Sequence, residues 1–147
     1  MKNATEVEIH IEGDFFPIDT ERMEKAVRFI LAEAKIVRAK MEIDVITNDA
    51  IHAVNVEFLG HDYATDVLAF EMDRDAASGM LEGNILVCAD QAAERAAEFG
   101  WNAADELLLY VIHGTLHLVG YDDHEGGDEA AMRQKETEAL AAVGVVR

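Results

Sequence analysis

Cysteine is almost missing: Cys88 is the only one in 147 residues, so no disulfide can form within the chain, as expected of a reducing compartment. Long apolar runs are missing too. No stretch approaches the roughly 18 to 20 consecutive apolar residues of a membrane span, and the first residues, MKNATEVEIHIEGD, are acidic where a secretory signal is basic and then apolar. These absences predict a cytoplasmic protein with no membrane partner. Basic residues are scarce, 12 Lys and Arg against 30 Asp and Glu, for a net charge of -18. Non-specific nucleic-acid binding draws its free energy from Lys and Arg displacing counterions from phosphates, so this composition excludes it, and any RNA role must be local. Repeats and low-complexity tracts are absent, and the length suits one well-buried core. We expect a single domain over 1–147.

What is present alternates between strand and helix signals. VEIHI (7–11) has the period of a strand, and FFPID leads into a helix capped at Asp19 or Thr20 and running to about Arg38. MEIDVIT (41–47) reads as a second strand, followed by a short helix capped at Asn48 or Asp49 and ended by Gly60. DVLAFEM (66–72) reads as a third strand, RDAASGMLEG as a loop, and the apolar NILVC (84–88) as a fourth, central strand. An Ala-rich helix stops at Gly100. The next starts at the cap Asn102, with Asp105 three residues on, and stops at Gly120; the last spans about 128–143. The pattern predicts an α+β fold, a small mixed four-stranded sheet with about five helices, covered mainly on one face.

Three of the six histidines fall in HGTLHLVGYDDH (113–124). His113 and His117 lie one turn apart on a helix that is apolar almost all round, so both imidazoles can reach a common point from a setting that favours their neutral, ligating form. Gly114 lets a neighbouring element approach beside the first of them. Gly120 then turns the chain, and Asp122, Asp123 or His124 can supply a third ligand. Three ligands with an open fourth position describe a catalytic zinc, one per chain, although affinity order alone admits nickel or copper. The residue after His113 is glycine, not the glutamate of HExxH, which removes the general base of zinc proteases. Hydrolysis here would use a water acidified by the metal, from a pKa of 15.7 towards about 7.

The same residues resemble a known family. HGTLHLVGYD is similar to the signature of the YbeY endoribonucleases, TDVLAF (65–70) to that family's TDVLSF strand, GNILVC (83–88) to its GDI strand, and Glu136 to Leu140 with Met132 to its closing helix. The resemblance, continuous over about 40–143, implies a zinc-dependent single-strand endoribonuclease of ribosomal RNA processing. It also implies ribosomal RNA or the small ribosomal subunit as partner, with ribosome-associated proteins beside it. The ligands it implies are His113, His117 and His124. The family usually reads G-Y-D-H where this chain reads G-Y-D-D-H, so strict spacing selects Asp123 and residue type selects His124, which we take because the loop after a helix stop absorbs an insertion.

At the position of an arginine that the family commonly carries for RNA cleavage stands Leu59, which cannot clamp a phosphate. Two functions follow: a slow endoribonuclease, or a ribosome-assembly or RNA-chaperone factor that retains zinc and catalyses little. Six of the twelve basic residues lie between Arg22 and Lys40, a solvated helix face or a phosphate-facing surface. Glu106 and Tyr110 continue the stripe of His113 and His117 and are candidates to support a ligand. Asn55 and Thr65 read as local hydrogen-bonding devices, Cys88 as a small buried hydrophobe, and Trp101 as a packing anchor.

Overall fold

A computed structural model describes residues 4–61, 65–121 and 129–146. The elements run β1 (Ala4–Ile11), α1 (Thr20–Glu33), β2 (Arg38–Ile46), α2 (Asn48–Leu59), β3 (Val67–Asp75), β4 (Met80–Cys88), α3 (Ala89–Phe99), α4 (Ala103–Leu118) and α5 (Glu129–Ala142). The strands form one mixed sheet in the order β1-β2-β4-β3. β1 and β4 lie parallel to β2, and β3 runs antiparallel to β4. The α+β class is as the sequence predicts, and β4 is central.

Register decides what each face does. In β2 the odd residues Ala39, Met41, Ile43 and Val45 are buried, and their pairing places Leu81, Ile85 and Val87 of β4 beside them. Onto this face pack α1, α3, α4 and α5 with Val27, Leu31, Ala92, Ile112, Leu116 and Leu140. The even residues face the other way. Over part of that face lies α2, whose Ile51 packs with Ile46, Leu86 and Cys88. The remainder is open and charged, carrying Glu8, His10, Arg38, Lys40, Glu42 and Asp44, most of them exposed.

Three boundaries correct the sequence reading. The first helix ends at Glu33 rather than near Arg38, because Lys35 takes a left-handed φ of 60°, which no Gly or Asn announces. Arg38 and Lys40 therefore belong to β2. Residues 74–83, expected as a loop, form the far ends of a β3–β4 hairpin turning at 76–79, with Gly79 at φ 69°. The second helix is capped by Thr47, whose hydroxyl accepts from Ala50 N, rather than by Asn48 or Asp49.

The helix α4 is the centre of the assembly. It is nearly all buried and touches α1, α3, α5, β3 and β4. Its start is fixed by Asn102, which accepts from Asp105 N at 2.8 Å, as the spacing predicts. Close approach to the sheet requires the absence of a side chain at Gly114, where a Cβ would stand 2.9 Å from Ile85 Cγ2 and 3.2 Å from Val67 Cγ2. At the far end Gly120, at φ 108°, stops the helix, and Arg74 of β3 donates to the carbonyl of Leu118. No helix among the described residues is long and apolar enough to cross a membrane.

Candidate metal centre

His113 and His117 both stand in the last turns of α4, one turn apart, as the spacing predicts. Their settings differ. The side chain of His113 is 27% exposed, at the floor of a cleft of about 430 Å³, whereas His117 is exposed at the helix end. Asp122, Asp123 and His124 lie outside the described residues.

The cleft is closed from behind by α5. Glu136, 3% exposed, places its Oε2 2.7 Å from His113 Nδ1 and its Oε1 2.9 Å from Arg133 Nη1. A carboxylate only accepts, so Nδ1 is the donor and Nε2 is the ring nitrogen left to face a metal. Burial alone would push the Glu136 carboxyl up, but the hydrogen bonds from His113 and Arg133 outweigh it and hold the group below the ordinary carboxylate range.

Sequence reasoning placed that supporting role on Glu106 or Tyr110; both line the same cleft, but the residue bonded to His113 is Glu136. Glu106 accepts from Trp101 Nε1 at 2.9 Å, which ties the indole to the start of α4 and gives Trp101 a polar contact beyond packing. Burial, and then the nearby Glu106 charge, push the Tyr110 phenol upward, so it stays neutral. Glu136 did carry a signal. Met132, Glu136, Ala139 and Leu140 are the buried residues of α5, spaced i, i+4, i+7, i+8, so an acid interrupts an otherwise apolar stripe.

Other candidates resolve locally. Thr65 Oγ1 contacts Asp66 Oδ1 at 3.4 Å. Asn55 is buried in α2, and its backbone carbonyl, not its side chain, accepts from His61 N at the helix end. Cys88 is buried, its thiol raised by desolvation and its Sγ 3.1 Å from Asn48 Oδ1. Leu59 is 45% exposed at the end of α2 and is not among the described residues lining the cleft. The basic cluster does not form one surface. Arg22 and Arg28 sit on α1, near Asp19 and Asp105 and near Glu24 respectively, while Arg38 and Lys40 lie on the opposite face of the sheet.

The donor chemistry fits a transition metal at His113 and His117, two imidazoles one turn apart, the first held from behind by a buried acid. Among the described residues a different trio, Glu8, His10 and Glu42, also comes close enough to share a cation. It lies on the open sheet face, exposed, where the carboxylates of Glu8 and Glu42 meet because β1 and β2 pair in this register. It lacks the burial and the supporting acid that distinguish His113.

Comparison with known proteins covers nearly the whole chain. The family model described as Endoribonuclease YbeY matches residues 8–144, extending the resemblance to β1 and α1. The chain is 38% identical over 132 residues to the Endoribonuclease YbeY of Rhodopirellula baltica, covering 87% of this chain and 67% of that one. It is 36% identical over 151 residues to that of Chloroflexus aggregans, covering 96% and 97%. Among solved structures it is similar to the solution structure of TM1509 from Thermotoga maritima, with a TM-score of 0.64 and 27% identity over 94% of this chain and 89% of that one.

Proposed function

We propose a function from one premise: this chain belongs to the endoribonuclease YbeY family. The reading is a zinc-dependent endoribonuclease that acts in the cytoplasm on single-stranded segments of ribosomal RNA, in association with the small ribosomal subunit. The observation that carries it is the 2.7 Å contact between Glu136 and His113, since a buried carboxylate behind an imidazole in a cleft has the form of a ligand support.

In this reading His113 Nε2 and His117 hold the metal, one zinc per chain, with His124 as third ligand and Asp123 the alternative. When bound, the metal supplies Lewis-acid polarisation of a phosphoryl oxygen and acidifies water for attack on phosphorus. The chain does the rest. Glu136 holds the imidazole of His113 in one orientation through Nδ1, which leaves Nε2 as the nitrogen that would meet the metal and raises its strength as a ligand. Val67, Leu109 and Phe99 supply the apolar part of the cleft lining beside His113. Tyr110, held neutral, adds no negative charge against an incoming phosphodiester.

Leu59 favours a second reading, a ribosome-assembly factor that keeps the zinc and cleaves little, because no guanidinium stands there to share phosphate charge. One experiment separates the two: single-turnover cleavage of a structured ribosomal RNA fragment by zinc-replete protein, compared with His113→Ala. Cleavage that disappears in the variant supports the nuclease. Cleavage by neither protein, with RNA still bound, favours the assembly factor, and equal cleavage by both identifies a contaminant and refutes the enzyme reading.

A further inference from the structure

Phe99, the last residue of α3, is 61% exposed, yet it belongs to a cleft and not to open surface, for it lines the same hollow as His113. Arg95, one helical turn earlier, lines it too, so one face of α3 is turned to the site. Phe58 of α2 is as exposed, at 64%, but its ring packs edge-on against Phe70 at a centroid distance of 6.2 Å. Among the described residues Phe99 has no such ring beside it.

Charge in the cleft limits what that ring can meet. Asp66, Glu106 and Glu136 stand there against Arg95 and Arg133, so the side chains hold no excess of positive charge and do not select a phosphate. In the nuclease reading that attraction comes from the metal. An aromatic platform among mixed charges suits the neutral part of a nucleotide, its base. The three acids also differ. Glu106 accepts from Trp101, and Glu136 from His113 and Arg133. Asp66, half-buried just before β3, is contacted among the described residues by Thr65 Oγ1 alone, at 3.4 Å from Oδ1. Its carboxylate therefore keeps acceptor sites for an N–H donor.

Resting on the nuclease reading, we propose that this cleft is a base subsite beside the metal: one base of the single-stranded RNA stacks on Phe99, and Asp66 accepts from its exocyclic amino group. A carboxylate has no proton to donate, so it favours cytosine, adenine or guanine over uracil, whose exocyclic atoms are carbonyl oxygens. The subsite gives the protein a choice among sequences. It needs no basic surface, in keeping with a net charge of -18.

The test is equilibrium binding of two labelled 2′-O-methyl RNA dodecamers, one all cytidine and one all uridine, to zinc-loaded protein. Fluorescence anisotropy at neutral pH reads the affinity, zinc content and melting temperature are measured alongside, and the probes are checked intact afterwards. The wild type should bind the cytidine strand on the order of tenfold more tightly. Asp66→Asn, which can turn a donor towards a carbonyl, should remove that preference. Phe99→Ala should weaken both strands on the order of tenfold, and Phe99→Leu should do the same because a base stacks on a π-face, whereas Phe99→Trp should retain binding. Phe58→Ala removes an equally exposed ring outside the cleft and should change neither affinity. A wild type that binds both strands equally, or a preference that survives Asp66→Asn, overturns the reading of the amino group. An effect of Phe99→Ala no larger than that of Phe58→Ala overturns the stack. Either result removes the base subsite and leaves the nuclease reading intact; a wild-type protein that neither binds nor cleaves RNA overturns both.

Discussion

Replacing Glu136 by glutamine keeps the volume of a side chain that is 3% exposed and removes only its charge and one acceptor. The native carboxylate uses both oxygens, Oε2 towards His113 Nδ1 and Oε1 towards Arg133 Nη1. An amide has one oxygen. Whichever way it turns, its NH2 faces a donor, so one of the two bonds is broken and the other is no longer charge-assisted. Loss of a partner behind a ligating histidine typically costs about 10- to 100-fold in metal affinity, or roughly 1.4–2.7 kcal/mol. We therefore predict that Glu136→Gln weakens zinc binding by that factor in a competitive titration against a chromophoric chelator at neutral pH.

The metal-free protein supplies an internal control. Because the folded-state pKa of Glu136 is depressed, its contribution to stability is present above the ordinary value of 4.5 and is lost as pH falls through the folded value. Metal-free Glu136→Gln should be less stable than the parent by about 1 kcal/mol near neutral pH, with the difference shrinking in acid. Zinc affinity unchanged by the substitution, with the destabilisation still present, would refute the ligand-supporting role and leave Glu136 as a packing and ion-pair residue.

Gly114→Ala gains up to about 1 kcal/mol of helix propensity, but its Cβ would meet Ile85 Cγ2 at 2.9 Å. Overpacking against a β-branched residue in a central strand costs about 1–3 kcal/mol, so the net effect should be a lower melting temperature in calorimetry; a rise would show that α4 has slack over the sheet. The pKa of Glu42 is raised, chiefly by its hydrogen bond and repulsion with Asp44, and Glu8 lies directly across the strand pair. A raised folded-state value favours folding below the ordinary 4.5, and that contribution is lost as pH rises through the folded value. Glu42→Gln should therefore stabilise the protein at pH 7 by about 0.2–0.5 kcal/mol in denaturant titrations, and not at pH 3. For the third ligand, His124→Ala should reduce zinc affinity far more than Asp123→Ala, and the reverse order would select the carboxylate.

Local signals made much of this molecule legible. The i, i+4 histidines, the Asn102 cap and the stop at Gly120 are all short-range, and each stands where the sequence put it. The hairpin at 74–83 escaped because β3 is exposed from Glu71 to Asp75, with no apolar alternation to mark a strand whose two faces both meet solvent. The end of α1 escaped because a lysine takes the left-handed position. Glu136 is the instructive case, since it lies 23 residues from His113 and meets it only when α5 docks on α4. Periodicity could reveal that it was a buried acid, but only tertiary structure shows what it serves. The basic cluster misled in the opposite sense: neighbours in sequence, α1 and β2 direct their cations to opposite sides of the sheet.

Diffraction from zinc-reconstituted crystals, recorded on both sides of the zinc absorption edge, tests the metal centre most directly. The account predicts one anomalous peak per chain, about 2.0–2.1 Å from His113 Nε2 and from a His117 ring nitrogen, with Glu136 still on Nδ1. A peak at Glu8, His10 and Glu42 instead, or none at α4 after reconstitution, would contradict it.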